Sequence, residues 1–135
     1  MALQLSVAVR NARLDAFETT VGTAAVLRIR TGAPPSNCAT ADAGTVLAEA
    51  TLPSDWMAGA SNGSKALSGT WQDASANASG TAAHFRIYDA AGTTCHLQGT
   101  VSATGGGGDM ELNNVSINST QTVTITSFTL TDANA

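Results

Sequence analysis

The sequence contains few charged residues and very few basic ones. Charged side chains make up 12% of its 135 residues, and six lysines and arginines stand against ten aspartates and glutamates, which leaves a net charge of −4. Proteins that bind nucleic acids usually concentrate lysine and arginine in a basic stripe. The basic residues here are instead spread along the chain, at Arg10, Arg13, Arg28, Arg30, Lys65 and Arg86. We therefore expect no nucleic-acid partner.

Long hydrophobic runs are also missing. No apolar stretch approaches the roughly 20 residues that a membrane-spanning helix needs. The first ten residues carry no basic segment ahead of their short apolar stretch, which a Sec-type export signal requires. We therefore expect neither a membrane partner nor such a signal.

Reactive side chains are scarce, because the chain has only two histidines, His84 and His96, and two cysteines, Cys38 and Cys95. Nucleophilic and acid–base catalysis need a base beside a nucleophile or a pair of carboxylates. Neither histidine lies in a GxSxG or comparable motif, and no CxxC or HxxxH spacing supports a metal site. The sequence predicts a protein that is not an enzyme, with no catalytic residues, no cofactor and no metal.

The two cysteines allow two interpretations. Cys38 lies in a proline-rich loop and Cys95 in a strand-like segment, so a disulfide could staple that loop to the fold. Alternatively, Cys95 is a small buried apolar residue and Cys38 a half-exposed thiol. The second interpretation fits better with synthesis in a reducing cytosol.

Small residues dominate the composition of the chain. The chain has 25 alanines, 19 threonines, 13 glycines and 12 serines, about half of the total, whereas leucine, isoleucine, valine and phenylalanine together number only 25. The low charge argues against disorder, because such a chain lacks the self-repulsion of a solvated segment. The core must then be thin, which suits a β-sandwich better than a helix bundle.

One amphipathic helix is predicted at the N-terminus, within residues 1–22. Apolar residues recur there at helical spacing and share one face, and Gly22 is a natural C-terminal stop; the stripe consists of Leu3, Val7, Leu14, Phe17 and Val21. This face must pack against something. The sheet of its own chain and a neighbouring subunit remain equal alternatives.

From residue 24 to residue 131 the pattern has period two, which predicts strands. Seven strands are expected, over residues 26–31, 45–52, 65–72, 81–89, 93–101, 110–118 and 121–130. Regular turns between them predict an antiparallel β-sandwich of jelly-roll or immunoglobulin type, which with the helix forms a single domain over residues 1–135. The strongest hairpin joins residues 81–89 to 93–101. In the last strand the apolar residues change from odd-numbered to even-numbered positions, which predicts a bulge near Thr126 and Ser127.

Particular side chains are assigned to faces by this pattern. His84, Arg86 and Tyr88 are expected on the outer face of their strand, whereas Trp71 points inward. Trp56 and Met57 follow an N-capping segment and are expected to plug one edge of the sandwich.

Residues 105–108 are four glycines, which predict a flexible connector, since no phosphate-loop motif surrounds them. The candidate interface comprises Leu3, Val7, Arg10, Leu14, Phe17, Val21, Trp56 and Met57.

Several segments resemble small structural proteins of tailed bacteriophages. The likeness lies in LRIRTGAPPSNCATADAGTVLA at residues 27–48, in HFRIYDAAGTTCH at 84–96 and in TVTITSFTLTD at 122–132, with shorter pieces at 10–15 and 55–57. This resemblance implies a virion protein made in the host cytoplasm, whose partners are other virion proteins: the major capsid protein or tail proteins.

Within that class, the sequence favours a capsid decoration or cement protein that forms a small homo-oligomer, because symmetric repetition strengthens weak contacts. A tail, neck or fibre component with a host-binding role is the alternative. A carbohydrate-binding module is a more distant one, since only six aromatic residues are available to stack on sugars.

Overall fold

The computed structural model describes residues 3–133, which form one helix and ten strands. Most strands are short, and the two longest have nine residues each and lie in the last third of the chain. The elements are α1 (Val7–Val21), β1 (Val26–Arg30), β2 (Val46–Thr51), β3 (Ser64–Ala66), β4 (Gln72–Asp73), β5 (Gly80–Thr81), β6 (His84–Tyr88), β7 (Cys95–Ala103), β8 (Met110–Leu112), β9 (Ser116–Ile117) and β10 (Val123–Thr131).

Helix α1 is bounded by capping residues at both ends. The Ser6 hydroxyl accepts a hydrogen bond from the Val9 backbone N–H at 3.2 Å, which satisfies one of the free donors of the first turn. At the other end Gly22 adopts a φ of 89° and donates its N–H to the Glu18 carbonyl at 2.9 Å. The predicted helix within residues 1–22 therefore begins at Val7, and its predicted stop is confirmed. Met1 and Ala2 lie outside the described residues.

The principal sheet is mixed rather than antiparallel. Its strands are ordered β2-β1-β6-β7-β8-β10-β3, and β4 pairs with β10 beside β3. All pairs are antiparallel except β7 and β8, which run parallel, with Val101 opposite Met110. The antiparallel prediction is wrong at this pair, because the chain between the two strands loops back before β8 instead of forming a hairpin.

The glycine-rich connection at residues 104–109 makes this reversal possible. A Cβ atom on Gly106 would lie 2.8 Å from the Ser102 side chain, and one on Gly108 would lie 2.7 Å from the Ser102 backbone nitrogen. The Gly108 N–H also donates to the Ser102 hydroxyl at 2.9 Å. The segment was expected to be a flexible connector, but it is folded against β7, and its glycines allow that close approach.

The sheet curls into a half-barrel around the core. Its edge strand β2 approaches β4, where the Glu49 backbone N–H donates to the Asp73 carboxylate at 2.9 Å. Strands β5 and β9 form a separate two-stranded sheet. The predicted strand over residues 110–118 is divided between the two sheets, and that over 65–72 is interrupted at Gly69, whose φ is 72°. A jelly-roll or immunoglobulin-like sandwich is therefore not confirmed, whereas a mostly β fold with one N-terminal helix is.

Two local predictions are confirmed. Strands β6 and β7 form the expected hairpin, with Arg86 opposite Gln98. In β10 the pairing register shifts between Ile125 and Ser127, which is the expected bulge. This shift lets both Ile125 and Phe128 point into the core.

A chain of aromatic rings links the helix to the sheet. The rings follow one another at centroid distances of 5.5–5.7 Å, in the order Phe17, Trp56, Trp71, Phe128 and Phe85. Trp71 is buried as predicted, and its indole N–H donates to the Trp56 carbonyl at 3.0 Å. Five of the six aromatic side chains thus form one continuous series of contacts from α1 into the sheet.

Candidate functional site

The apolar stripe of α1 is covered at one end and exposed at the other. Leu14 and Val21 are buried against the body of the protein, with exposed fractions of 8% and 5%. Val7, seven residues or about two turns before Leu14, is 43% exposed. Leu3, just ahead of the helix, is 91% exposed. The first turn therefore projects beyond the sheet that covers the rest of the stripe.

Exposed large hydrophobic side chains are confined to this end of the described chain. They are Leu3, Leu5, Val7 and Val9, which we call the N-terminal apolar surface. Monomeric proteins often expose single apolar residues, whereas several that lie close together in the sequence are a candidate interaction site. Four such residues within seven positions make this the surface most suited to binding another protein.

The predicted interface residues divide between this surface and the core. Trp56 and Met57 are buried at 0% and 1% exposure, and Phe17 packs edge-on against Trp56. The guanidinium of Arg10 is partly buried and donates to the Asp132 carbonyl at 3.0 Å. Leu3 and Val7 thus remain accessible to a partner, whereas Leu14, Phe17, Val21, Trp56 and Met57 contribute to the protein's own core.

A buried lysine holds the helix in place. The Lys65 ammonium lies 2.7 Å from Asp15 Oδ1 and 2.9 Å from Glu18 Oε2, both on α1. Burial alone would lower the pKa of Lys65, but its hydrogen bonds to the two carboxylates outweigh burial and raise that pKa. The hydrogen bond from Lys65 lowers the pKa of Asp15 in turn. Because Lys65 and Asp15 both favour their charged forms, these ion pairs fasten the middle of α1 to β3.

The loop that joins β1 to β2 covers the outer face of β6. The prediction that the side chains on this face are exposed is therefore wrong. His84, Arg86 and Tyr88 are exposed by only 0%, 1% and 2%. The Arg86 guanidinium donates through Nη2 to three loop carbonyls at 3.0–3.2 Å, those of Asn37, Cys38 and Thr40. The sequence pattern shows which way a side chain points, but it does not show that a distant loop folds over it.

Asp42 is the centre of this polar cluster. Its carboxylate accepts hydrogen bonds from Arg30 Nη2 at 2.8 Å, from Arg86 Nη1 and from the Tyr88 hydroxyl at 2.6 Å. Partial burial would raise the pKa of Asp42, but hydrogen bonds from Tyr88 and Arg86, and the charge of Arg30, outweigh it and lower the pKa. Sequence reasoning missed Asp42, although an acidic residue in a loop between strands that carry Arg30 and Arg86 was a usable signal.

The two cysteines meet beside this cluster. Both are free thiols, half-buried, and both line a cavity of about 220 Å³ together with Asp42, Arg86 and Tyr88. Burial, together with the neighbouring Cys38 thiol, raises the pKa of Cys95 to about 11. The free state and the half-exposed Cys38 agree with the second of the two interpretations drawn from the sequence, but Cys95 is half-buried rather than buried, and the two side chains are neighbours.

The histidines are separated by the fold. His84 is enclosed, with Nδ1 at 2.6 Å from the Gly32 carbonyl, whereas His96 is half-buried on β7. Within residues 3–133, no group of three or more histidine, cysteine, aspartate or glutamate side chains is arranged to hold a metal ion. No helix in the same range has the length and apolarity needed to cross a membrane.

Comparisons of the chain with protein-family models, with curated proteins and with solved structures find no match. Two features of the protein bear on its function: the N-terminal apolar surface, and a polar face whose charged groups bind one another.

Proposed function

We propose that the protein is a structural subunit of a tailed-bacteriophage particle, and that it decorates the capsid as a small homo-oligomer. The resemblance of residues 27–48, 84–96 and 122–132 to phage structural proteins supports the particle. The N-terminal apolar surface supports a role in protein–protein contact. The single observation that carries the proposal is that the helix stripe runs off the sheet, so that Val7 is exposed whereas Leu14 is buried.

Covering this surface would stabilise an assembly by a useful amount. Full burial of one leucine or valine side chain is worth roughly 1.5–3 kcal/mol, and Leu3 is 91% exposed. A single contact of this size is too weak to hold two proteins together once the loss of free motion is included. Repetition by symmetry over a shell, or within a ring of copies, converts such weak contacts into stable attachment.

The polar face supports the same proposal by a different route. Arg86 donates to Asp42, to Gln98 and to the loop carbonyls, so its hydrogen-bonding groups are engaged within the chain. These groups hold the β1–β2 loop in place and make the body rigid. A rigid body with one apolar extension is suited to structural contact, because little freedom is lost when it binds.

The oligomeric state tests the contact. Native mass spectrometry of the purified chain should show a small oligomer, and Val7→Asp should dissociate it, because a carboxylate cannot be buried unpaired. Ala16→Asp is the matched control: it adds the same charge at an exposed position further along α1, and the oligomer should persist. A wild-type chain that stays monomeric and does not attach to phage heads would contradict the proposal.

The location in the particle separates the head from the tail. Particles assembled with and without the gene should differ by density over joints between capsid subunits, and heads that lack the protein should be less resistant to pressure. A hexameric or dodecameric ring at the neck or tail would instead support the tail alternative. Identical particles from both preparations would overturn a structural role.

A further inference from the structure

Cys38 and Cys95 come from distant parts of the chain to one place. Cys38 lies in the loop between β1 and β2, and Cys95 begins β7, where it pairs with Tyr88 of β6. Both side chains line the same cavity of about 220 Å³. That space is open to a small molecule, because both residues are only half-buried.

Hydrogen bonds hold both cysteines in position. Arg86 Nη2 donates to the Cys38 carbonyl at 3.2 Å and to the carbonyls of Asn37 and Thr40 on either side. The Cys95 thiol donates to the Leu97 carbonyl at 3.4 Å, within the same strand. The loop carrying Cys38 is thus ordered while both thiols are free, and the Cys38 side chain lies near enough to Cys95 to contribute to its raised pKa.

We propose that Cys38 and Cys95 form a thiol–disulfide site, in which a small-molecule disulfide of the glutathione class oxidises the pair to an internal disulfide. The sulfur of Cys38, as its thiolate, attacks one sulfur of the reagent, forms a mixed disulfide and releases one reagent thiol. The sulfur of Cys95 then loses its proton, attacks Cys38 Sγ and displaces the second reagent thiol. Two electrons pass from the two cysteines to the reagent, and both thiol protons end on its two released halves.

The order of attack follows from the environment of Cys95. Its pKa is raised to about 11, so this thiol stays protonated at neutral pH, and thiolates rather than thiols are the nucleophiles in exchange. Cys38 therefore reacts first with the reagent. Cys95 reacts only when the mixed disulfide is held next to it, which favours internal closure over a second external attachment.

The disulfide would staple the β1–β2 loop onto the sheet. It would close a ring that spans residues 38 to 95, and a cross-link of that length is expected to lower the unfolding equilibrium constant roughly a thousandfold. The stapled loop carries Asp42, so the buried Arg30 and Arg86 would stay covered. The site would respond to the change from a reducing cytosol to an oxidising exterior. This inference is independent of the proposed function, because the purified chain alone tests it.

The experiment treats the folded wild-type protein with oxidised glutathione at neutral pH and follows its intact mass. The wild type should lose two hydrogen atoms, and peptide mapping should join Cys38 to Cys95. Cys95→Ser should stop at one attached glutathione on Cys38, whereas Cys38→Ser should react far more slowly. Stable attachment of glutathione to the wild type, or a disulfide only between copies, would overturn the proposal.

Denaturation then tests the staple. The oxidised wild type should unfold at a higher urea concentration than the same protein after reduction, by an amount that corresponds to a roughly thousandfold change in the unfolding constant. The Cys38→Ser variant, carried through both treatments, should show no difference. An internal disulfide that leaves the urea midpoint unchanged would refute the stapling role.

Discussion

Replacing Asp42 by asparagine tests how the polar cluster stabilises the fold. Asparagine has nearly the same shape but no charge, and its amide NH₂ would face the two guanidinium groups that the carboxylate now accepts from. Arg30 and Arg86 are 8% and 2% exposed at their side chains. Both cations would stay buried with their principal anion removed, which is the costly way to break an ion pair.

The magnitude follows from burial. Removing one partner of a buried pair costs about 3–5 kcal/mol, and the hydrogen bond from Tyr88 at 2.6 Å would also weaken. The Asp42 side chain is 35% exposed, so water can partly solvate the two guanidinium groups once the carboxylate is gone. We therefore expect a cost at the lower end of this range, about 3 kcal/mol. A domain of ordinary stability has about 5–15 kcal/mol in total, so Asp42→Asn should remain folded but be much weaker.

Urea unfolding at neutral pH, with the thiols kept reduced, measures this loss. For a slope of about 1–3 kcal/mol per molar urea, the midpoint should fall by roughly 1–3 M. Asp55→Asn removes an exposed carboxylate and should change stability by no more than about 0.5 kcal/mol. A loss below about 1 kcal/mol in Asp42→Asn would refute the view that this carboxylate holds the loop over β6.

Two further predictions concern packing and acid stability. Gly99→Ala should cost about 1–3 kcal/mol, because its Cβ would lie 2.8 Å from Phe85 Cε1 and 2.9 Å from Asp109 Oδ2. Gly59→Ala, with nothing within 4 Å of its Cβ, should be neutral in the same urea assay; equal effects in both variants would be contrary to the packing described. The pKa values of Asp15, Asp42 and Asp89 are lowered in the folded protein. Their contribution to stability is therefore present above the ordinary aspartate pKa of about 4 and lost as pH falls through the folded values. The urea concentration at the unfolding midpoint should fall as the pH is lowered below about 4, and it should fall less steeply in Asp42→Asn. A midpoint that does not change between pH 7 and pH 2.5 would contradict this.

Local patterns in the sequence predicted the hairpin of β6 and β7 and the bulge in β10. Both depend on the alternation of neighbouring side chains, and a parity change between Ile125 and Phe128 is visible without any tertiary information. The parallel pairing of β7 and β8 was not predictable in this way. It depends on the fit of Gly106 and Gly108 against Ser102, and such a fit is a property of the folded chain.

The candidate surface was also only partly predictable. Spacing identified the helix stripe, but its division into a covered part at Leu14 and an exposed part at Val7 depends on where the sheet ends beneath α1. Similarly, Trp56 was expected both to plug the core and to form part of the interface. Its indole N–H donates to the Gly22 carbonyl at 3.1 Å from inside the protein, so it supports the helix rather than facing a partner.

A cryo-EM map of the assembled phage particle would show whether this protein joins the shell through the N-terminal apolar surface. We expect copies of the protein over capsid joints, with Leu3 and Val7 buried against a neighbouring subunit. A particle in which Leu3 and Val7 face solvent, or one that contains no copy of the protein, would contradict this expectation.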